Sequence, residues 1–450
     1  MNCSLLQSFD NNPQSITLRK VALDAAKAFS AHAHRAETFE PGVSPIPVSG
    51  KCWGAEEIRN LVDASLDFWL TAGRYNEAFE QALARLLGRK FALTVNSGSS
   101  ANLLAVAALC SPLLKDHRLR PGDEIITVAA GFPTTVAPLV QYGLVPVFVD
   151  VEPPTYNAVN EQLAAAISPR TRAVFLAHTL GNPFDVTAVK ALIRKYDLWL
   201  LEDSCDALGS FYTLDNHMVM CGVFGHIATF SFYPAHHITM GEGGAVVTDD
   251  QVLYKILLSL RDWGRECWCP SGHDGTCQRR YDWKYSRLPD GYDHKYVYSH
   301  LGYNLKLTDM QAAVGLAQLD KLPRFGEARR RNFRRLHEQL KVLEGEVLIL
   351  PMATPRSDPS WFGFLITLKQ SHNRRLLLEH LNSRKIGTRL LFAGNMAKQP
   401  CFENVVYRQV GDLSGTDAIM ERSFWVGIYP GLSDEHIDYL AQTIIKWFQK

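Results

Sequence analysis

The chain has 450 residues, of which 46% are hydrophobic and 21% are charged. This composition excludes low-complexity disorder and collagen, and it is typical of a globular protein with two or three domains. Lys and Arg together number 47 against 46 for Asp and Glu, so the net charge is +1. A dedicated nucleic-acid-binding protein usually carries a marked basic excess, which disfavours that class. The one dense basic run, Arg329 to Arg335, is predicted to be the solvated face of a helix.

The sequence predicts neither a membrane span nor a secretory leader. Its most apolar stretch, Ala101 to Leu114, is shorter than the roughly 20 residues that a span needs. The first residues lack the basic segment and the long apolar run of a signal peptide. Nine cysteines, an odd number, favour reduced thiols over a disulfide framework. We therefore expect a cytoplasmic protein.

Three regions follow one another along the chain. Residues 1–50 are polar and are predicted to form an arm that packs on a larger body. Residues 51–322 alternate apolar, β-rich runs with helix-like stretches, which indicates an α/β domain whose mainly parallel sheet is covered on both faces. A cysteine-bearing polar excursion near 265–300 interrupts this pattern, and residues 323–450 suit a smaller α+β domain. The predicted strands are 91–95, 124–128, 145–150, 171–176 and 198–203.

A turn rich in serine and glycine, Asn96 to Asn102, follows the first of these runs and opens a helix-like segment. Free backbone N–H groups and the positive end of the helix dipole meet at such a point, which suits a phosphate. Serine is also a favoured N-cap, so an ordinary helix start explains the same residues. The turn alone does not decide between these interpretations.

Two further segments carry polar groups where strands end. Glu202 and Asp203 close an apolar run, at the edge where open α/β sheets bind ligands, although capping acids at a turn would give the same pattern. The run Thr229 to Tyr233 leads to two adjacent histidines, His236 and His237, and then to a glycine-rich turn. A lone histidine there would more often be structural, whereas the pair with the glycines slightly favours a site.

The order and content of these three segments resemble the fold-type I pyridoxal-phosphate enzymes, and within them the DegT/DnrJ/EryC1/StrS sugar aminotransferase family. The resemblance extends from about Gly54 to near the C-terminus and includes the stretch Leu301 to Ala313. It implies a homodimer with a mainly parallel seven-stranded sheet in the large domain, plus the smaller C-terminal domain. The cofactor-binding residues that it implies are Gly98, Ser99 and Ser231 for the phosphate, Asp203 for the pyridine nitrogen, Phe132 for stacking on the ring, and Asn304 for reaching the phosphate across a subunit boundary.

His236 occupies the position at which the aminotransferases of this family have the lysine that forms a Schiff base with the cofactor. Imidazole has no primary amine, but its pKa of about 6.5 suits proton transfer near neutral pH. The cofactor is therefore expected to be pyridoxamine 5′-phosphate, held without a covalent link, with His236 as the catalytic base. His237 is the competing candidate, and His236 is preferred because it aligns with the lysine.

This histidine is a feature of the sugar 3-dehydrases of the family, and the chain resembles the group that acts on CDP-4-dehydro-6-deoxyglucose with pyridoxamine phosphate and a [2Fe-2S] cluster. The resemblance implies C3 deoxygenation of a nucleotide-linked 4-keto-6-deoxyhexose in the biosynthesis of 3,6-dideoxysugars of lipopolysaccharide O-antigen. A TDP-linked sugar is an open alternative, and Arg389 and Phe392 are implied to contact the substrate. The resemblance also implies an NADH-dependent flavin and iron–sulfur reductase as the electron donor. The chain has no G-x-G-x-x-G fingerprint after a strand, which agrees with electrons that come from another protein.

Clustered cysteines agree with that group. Cys267, Cys269 and Cys277 form a C-x-C-x7-C pattern, and 61 residues separate Cys205 from Cys267. A binuclear iron–sulfur cluster normally takes four thiolates, and the resemblance implies these four as its ligands. The interval after Cys205 is longer than in that group, through an insertion around residues 213–217, which makes Cys221 a competitor. Four thiolates also suit structural zinc.

Three other functions stay open at this point. A cluster-free 3-dehydrase that regenerates its amine with glutamate would leave the clustered cysteines without a role, and iron-free protein would favour it. An inactive aminotransferase kept as a binding protein would fail to retain added pyridoxamine phosphate. A structural zinc protein on the same scaffold would be identified by metal analysis.

Overall fold

The computed structural model describes residues 12–33, 38–269, 274–285, 287–369 and 372–449. Parts of the predicted arm and of the predicted excursion lie outside these residues. In chain order the helices are α1 (Pro13–Ala33), α2 (Ala55–Leu66), α3 (Arg74–Leu87), α4 (Gly98–Leu109), α5 (Pro133–Gln141), α6 (Asn160–Ala165), α7 (Val186–Tyr196), α8 (Gln251–Arg261), α9 (Asp309–Leu319), α10 (Leu322–Leu340), α11 (Arg374–Ser383), α12 (Ser414–Arg422) and α13 (Asp434–Phe448). The strands are β1 (Phe91–Val95), β2 (Glu124–Val128), β3 (Val145–Val149), β4 (Val151–Glu152), β5 (Asn157–Ala158), β6 (Thr171–Ala177), β7 (Trp199–Asp203), β8 (Phe211–Leu214), β9 (His217–Met220), β10 (Ile227–Ser231), β11 (Gly244–Thr248), β12 (Leu348–Ile349), β13 (Ser357–Asp358), β14 (Gly363–Leu368), β15 (Thr388–Arg389), β16 (Arg408–Gln409) and β17 (Ser423–Gly427).

The large sheet contains eight of the strands in the described part of the chain, in the order β1-β11-β10-β7-β6-β2-β3-β16. All its pairings are parallel except those of β11, which is antiparallel to β1 and to β10. Its inner strands are almost wholly buried, as expected for a sheet with helices on both faces. All five predicted runs are strands, and the predicted mainly parallel α/β fold is confirmed.

The predicted count of seven strands omits β16, which comes from the C-terminal third of the chain. Its two residues pair in parallel with β3 at the edge of the large sheet. Arg408 on this strand donates to the buried carboxylate of Glu124 at the start of β2, at 2.7 Å. A two-residue strand has no hydrophobic periodicity of its own, so its pairing depends on the tertiary contacts alone.

The C-terminal region has its own sheet, in the order β12-β14-β17-β15. Helix α10 connects this region to the large domain through two hydrophobic clusters. Leu322 and Phe325, in its first turn, pack with the side chains of α3, α9 and β10. Phe333, Leu336 and Leu340, further along, pack with β14, β17 and α13. One helix therefore contributes to both cores.

The predicted N-terminal arm consists of two parts in the described residues. Helix α1 lies against α2, and Arg19 on it forms ion pairs with Asp63 and Asp67. Further on, Ile46 forms a parallel β-bridge with Ile386 of the C-terminal region. Residues 1–11 and 34–37 of the arm lie outside the described residues. No helix among the described residues is both long and apolar enough for a membrane span.

A hairpin of β8 and β9 carries the residues that the sequence marks as an insertion, 213–217. The two strands pair antiparallel from Phe211 with Met220 to Leu214 with His217. Asp215 and Asn216 at the tip have φ angles of 50° and 64°, the left-handed pair of a type I′ turn. Residues 213–217 therefore lie at the end of a hairpin that is outside the large sheet.

Candidate cofactor site

A cavity of about 730 Å³ opens at the carboxyl ends of the parallel strands β6, β7 and β10. This is the edge at which open α/β sheets bind their ligands. The predicted site residues that line it are Gly98, Ser99, Phe132, Asp203, Cys205, Ser231 and His236. The residues at this edge therefore come together as the three sequence segments predict.

The N-terminus of helix α4 forms an anion-binding site at one side of this cavity. Ser97 is the N-cap and accepts a hydrogen bond from the backbone N–H of Ser100 at 3.0 Å. A Cβ atom on Gly98 would lie 2.4 Å from the Cβ of Ser231, so only glycine lets the helix approach β10 this closely. The hydroxyls of Ser99 and Ser231 line the same cavity. Helix dipole and hydroxyl donors together fit the phosphate group of pyridoxamine phosphate.

Asp203 ends β7 and is 6% exposed, and several donors hold its carboxylate. Its Oδ2 accepts from Asn102 Nδ2 at 2.8 Å and from Thr135 Oγ1 at 2.7 Å, and its Oδ1 accepts from the backbone N–H of Cys205. Asn102 is itself fixed by the hydroxyl of Thr229, which donates to its Oδ1 at 2.6 Å. A carboxylate oriented in this way fits a protonated pyridine nitrogen.

Asn102 and Thr135 are functional candidates that sequence reasoning missed. Asn102 lies four residues after Gly98, so both fall on one face of α4, and this helical spacing was an available signal. Thr135 lies in the first turn of α5, where no sequence pattern distinguishes it from an ordinary helix residue.

Phe132 precedes α5 with its side chain 50% exposed in the cavity. Its ring meets that of Phe392 edge to face, with centroids 5.6 Å apart and an interplanar angle of 87°. This contact holds one edge of Phe132, and an aromatic ring fixed at the wall of the cavity fits stacking on a pyridine ring. Arg389, the one Arg or Lys side chain among the described lining residues, lies at the same wall as Phe392.

His236 lies on the loop that follows β10, where the sequence resemblance places the lysine of the aminotransferases. Its Nε2 lies 3.3 Å from Asp206 Oδ1, and its Nδ1 is buried with no hydrogen-bond partner among the described residues. The ring packs against Phe362 with centroids 5.3 Å apart. Burial raises the pKa of the Asp206 carboxyl, and the hydrogen bond with His236 opposes this rise. Asp206 was not among the predicted site residues.

His237 points away from the cofactor cavity. It is 3% exposed, and its Nε2 contacts the backbone oxygen of Ser360. Burial, with the positive charge of Arg329 nearby, lowers the pKa of His237 well below its usual range. Of the two candidate bases, His236 is therefore the one beside the cofactor cavity.

The prediction that the basic run is the solvated face of a helix is wrong for Arg329. Its side chain is not on a solvated face, because the residue is 2% exposed. Its guanidinium donates to the backbone oxygens of Trp361, Phe362 and His236 at 3.1–3.3 Å. Burial lowers the pKa of Arg329 to about 10. The arginine links the histidine loop to the chain that enters β14.

The four predicted cluster ligands are not brought together. Cys267, Cys269 and Cys277 line a small cavity of about 10 Å³, and the hydroxyl of Thr276 donates to Cys269 Sγ at 3.0 Å. Cys205 lies instead in the cofactor cavity, where burial raises the pKa of its thiol well above the usual range.

The competitor, Cys221, is fully buried in a hydrophobic cluster. Within the described ranges, no three or more His, Cys, Asp or Glu side chains are arranged to hold a metal ion. The structure therefore does not support the predicted four-cysteine [2Fe-2S] site, nor a zinc site of the same residues. Spacing along the chain does not fix whether a strand-end loop and a distant excursion meet.

Asn304 lies outside this chain's own cofactor cavity. It forms a β-bridge with Asp262, and its Oδ1 accepts from Lys306 Nζ at 2.7 Å. That Nζ lies 3.3 Å from the ring centroid of Trp263, and burial lowers the pKa of Lys306 to about 8. The role of Asn304 across a subunit boundary stays a prediction.

The sheet order, the glycine at the start of α4 and the buried Asp203 define the chain as a fold-type I pyridoxal-phosphate protein. A model of the DegT/DnrJ/EryC1/StrS aminotransferase family matches residues 51–445, so the chain belongs to this family. The predicted family membership is thereby confirmed.

Three relatives illustrate the similarity. The chain is 54% identical over 433 residues to the lipopolysaccharide biosynthesis protein RfbH of Salmonella typhimurium, covering 96% of this chain and 98% of that protein. It is 52% identical over 415 residues to the dTDP-4-dehydro-2,6-dideoxy-D-glucose 3-dehydratase of Saccharopolyspora spinosa, covering 92% of this chain and 88% of that protein. The structure of a GDP-4-keto-6-deoxymannose-3-dehydratase with a trapped PLP-glutamate geminal diamine is similar at a TM-score of 0.79 and 32% identity, covering 89% of this chain and 100% of that one.

Proposed function

We propose that this protein is a pyridoxamine-phosphate-dependent 3-dehydrase of a nucleotide-linked 4-keto-6-deoxyhexose, acting in dideoxysugar and lipopolysaccharide biosynthesis. The observation that carries the proposal is an imidazole, His236, on the lining of a cavity that fits the cofactor, at the position where the sequence resemblance places the lysine of the aminotransferases. The names of the similar dehydratases and of the lipopolysaccharide protein support the substrate class. We further propose a cytoplasmic homodimer, in which Asn304 serves the partner's cofactor phosphate.

Each residue has a separate task in this proposal. When bound, pyridoxamine phosphate supplies an amine that joins the sugar carbonyl and a pyridinium ring that takes up electrons. Gly98, Ser99 and Ser231 hold its phosphate at the start of α4. Asp203 keeps the pyridine nitrogen protonated, because an adjacent carboxylate favours the charged form. Phe132 packs on the face of the ring.

His236 is the proposed base. With pyridoxamine phosphate bound and joined to the sugar, His236 would take up the proton released at the C4′ carbon and would pass it to the C3 hydroxyl, which leaves as water. A histidine in place of lysine moves this proton without capturing the cofactor covalently. Arg389, at the cavity wall, is the proposed contact for the nucleotide diphosphate of the substrate.

The test is the variant His236→Asn. It should retain pyridoxamine phosphate but lose about 10²- to 10⁴-fold in dehydration rate, the usual contribution of a general base. His237→Asn is the matched neighbour and should keep the rate of dehydration. The measurement is the rate at which the sugar loses its C3 hydroxyl, determined by product analysis. An unchanged rate of dehydration in His236→Asn would exclude His236 as the base and would contradict the proposed mechanism.

The nucleotide is proposed to be CDP, with dTDP as the alternative that one relative's name supports. Turnover with CDP-, dTDP- and GDP-linked 4-keto-6-deoxyhexoses under identical conditions distinguishes them. The specificity is read from kcat/KM, since this ratio measures discrimination between competing substrates. A preference for dTDP or GDP would replace the CDP assignment.

Two candidate functions differ in how the enzyme is returned to its starting state, either by electrons from an iron–sulfur centre or by an amine from glutamate. The iron–sulfur candidate, fed by a flavin reductase, is supported by the C-x-C-x7-C spacing of Cys267, Cys269 and Cys277, which line one small cavity, although Cys205 lies elsewhere. The similar dehydratase with its PLP-glutamate adduct favours regeneration by glutamate. Iron and sulfide analysis of anaerobically purified protein, with turnover assays on glutamate, separates the two. Iron-free protein that turns over with glutamate would eliminate the iron–sulfur candidate.

A further inference from the structure

We infer that Asp206 is a positioning residue for His236, which fixes its tautomer and supports its positive charge once it has taken up a proton. This inference deepens the proposed function and depends on His236 being the base. The two side chains form a pair in which Asp206 Oδ1 lies 3.3 Å from His236 Nε2, with both side chains about 15% exposed.

The environment of Asp206 points to a function rather than to the stability of the fold. Among the described residues, His236 is the one side chain in hydrogen-bonding or ion-pairing distance of its carboxylate. Other charged groups act on it only over longer distances, and they include the carboxylate of Asp203 and the guanidinium of Arg329. A carboxylate of little exposure that lacks structural partners costs free energy, so such a group is typical of a functional site.

The pairing also determines which ring nitrogen is available. A neutral imidazole has one N–H and one lone pair, and the hydrogen bond of one nitrogen decides the state of the other. Because Nε2 faces a carboxylate, Nε2 carries the hydrogen and Nδ1 carries the lone pair. Nδ1 is buried and has no hydrogen-bond partner in the described chain, so no protein group competes for its lone pair.

After proton uptake the imidazole becomes a cation, and the Asp206 carboxylate then faces a positive charge in a region of low water content. This interaction stabilises the protonated base and makes it a stronger proton acceptor. An aspartate behind a histidine acts in the same way in hydrolytic triads, where it orients the ring and stabilises the imidazolium. The backbone of His236 is held independently by Arg329, so Asp206 acts on the ring alone.

The experiment compares Asp206→Asn and Asp206→Glu with His236→Asn and the parent enzyme, all loaded with pyridoxamine phosphate. Asp206→Asn should bind the cofactor normally and lower kcat at least about tenfold with little change in KM. The acid limb of its pH–rate profile should move to lower pH, because a base without its carboxylate neighbour binds protons more weakly. Asp206→Glu should restore part of the rate and of the profile.

The melting temperature of Asp206→Asn shows whether Asp206 positions His236 or instead stabilises the fold. Because His236 is the one side-chain partner of the Asp206 carboxylate among the described residues, Asp206→Asn should not melt below the parent. A lower melting temperature together with an unchanged pH profile would overturn the inference. If His236→Asn is inactive but Asp206→Asn has parental kcat and pH dependence, only the positioning role fails. If His236→Asn itself is unimpaired, the proposed function fails as well.

Discussion

At the scale of single residues, the two adjacent histidines have opposite environments. His236 lines the cofactor cavity beside a carboxylate, whereas His237 lies beneath the loop, close to the buried guanidinium of Arg329. An anionic neighbour suits a residue that gains a proton, and a cationic neighbour suits one that stays neutral. The pair therefore combines the proposed proton acceptor with a residue that is held neutral and bonded to the backbone of Ser360.

His237 should make the folded protein sensitive to mild acid. Its pKa is far below 6.5 in the folded state, so between pH 6.5 and that value the unfolded chain binds a proton that the folded chain does not. Stability should thus fall as the pH decreases below about 6.5, by up to ~1.4 kcal/mol per pH unit. Urea unfolding of His237→Gln at several pH values should give a flatter dependence. Equal slopes for both proteins would contradict the prediction.

Thr135 should affect cofactor affinity through Asp203. A hydrogen bond to a charged group contributes about 1.5–3 kcal/mol, so Thr135→Val should weaken pyridoxamine phosphate binding about ten- to hundredfold. Fluorescence titration measures this affinity. Thr416→Val is the matched control, because its hydroxyl donates to a carboxylate, Asp150, outside the cavity, also at 2.7 Å. It should reduce stability only, and equal affinity losses in both variants would refute the role of Thr135.

The sequence indicated the groups that line the cavity better than the groups that hold those side chains in place. Gly98, Asp203 and His236 stand at strand ends and turns, where pattern and chemistry coincide. Thr135 and Asp206 act through side chains from other segments, and their partners are determined only by the folded chain. Arg329 shows the opposite error, because a run of arginines gives no sign that one of them is buried beneath a loop.

At the scale of elements, the approach of α4 to β10 depends on one missing side chain. Gly98→Ala would place a Cβ atom 2.4 Å from Ser231 and 3.0 Å from Cys205 Sγ, although alanine is otherwise the better helix residue. We expect a loss of ~1–3 kcal/mol in the free energy of unfolding and weaker cofactor binding, because the start of α4 must move away from β10.

Gly88→Ala is the control for Gly98→Ala. Gly88 ends α3 at a φ of 65°, and a Cβ atom there would meet no neighbour. Its substitution should lower stability through backbone strain alone and leave cofactor affinity unchanged. Calorimetry and cofactor titration of both variants provide the comparison, and normal affinity in Gly98→Ala would contradict the tight approach.

Long apolar strands were predictable because burial on both faces gives an unbroken hydrophobic run, as in β2 and β7. The short strands β13 and β16 were not, because their pairing is imposed by segments far away in the chain. The same reason explains the cysteines. Their local spacing was evident, but whether Cys205 meets the excursion depends on the path of the chain between them.

At the scale of the whole molecule, helix α10 couples the two cores. Since its first turn packs in one and its later turns in the other, neither core can unfold without disturbing this helix. We expect a single cooperative transition in calorimetry. Leu336→Ala, at a fully buried position, should cost ~2–5 kcal/mol and shift the entire transition to lower temperature. An early separate phase would show that the cores unfold independently.

The turn at Asp215 and Asn216 has a practical consequence for studying this protein. It is exposed, and it joins two strands that pair with each other along their length. A fluorophore or an affinity peptide grafted there would lie on the β8–β9 hairpin and not on the residues that line the cavity. Engineers could therefore immobilise or label the molecule at this point and still observe its chemistry undisturbed.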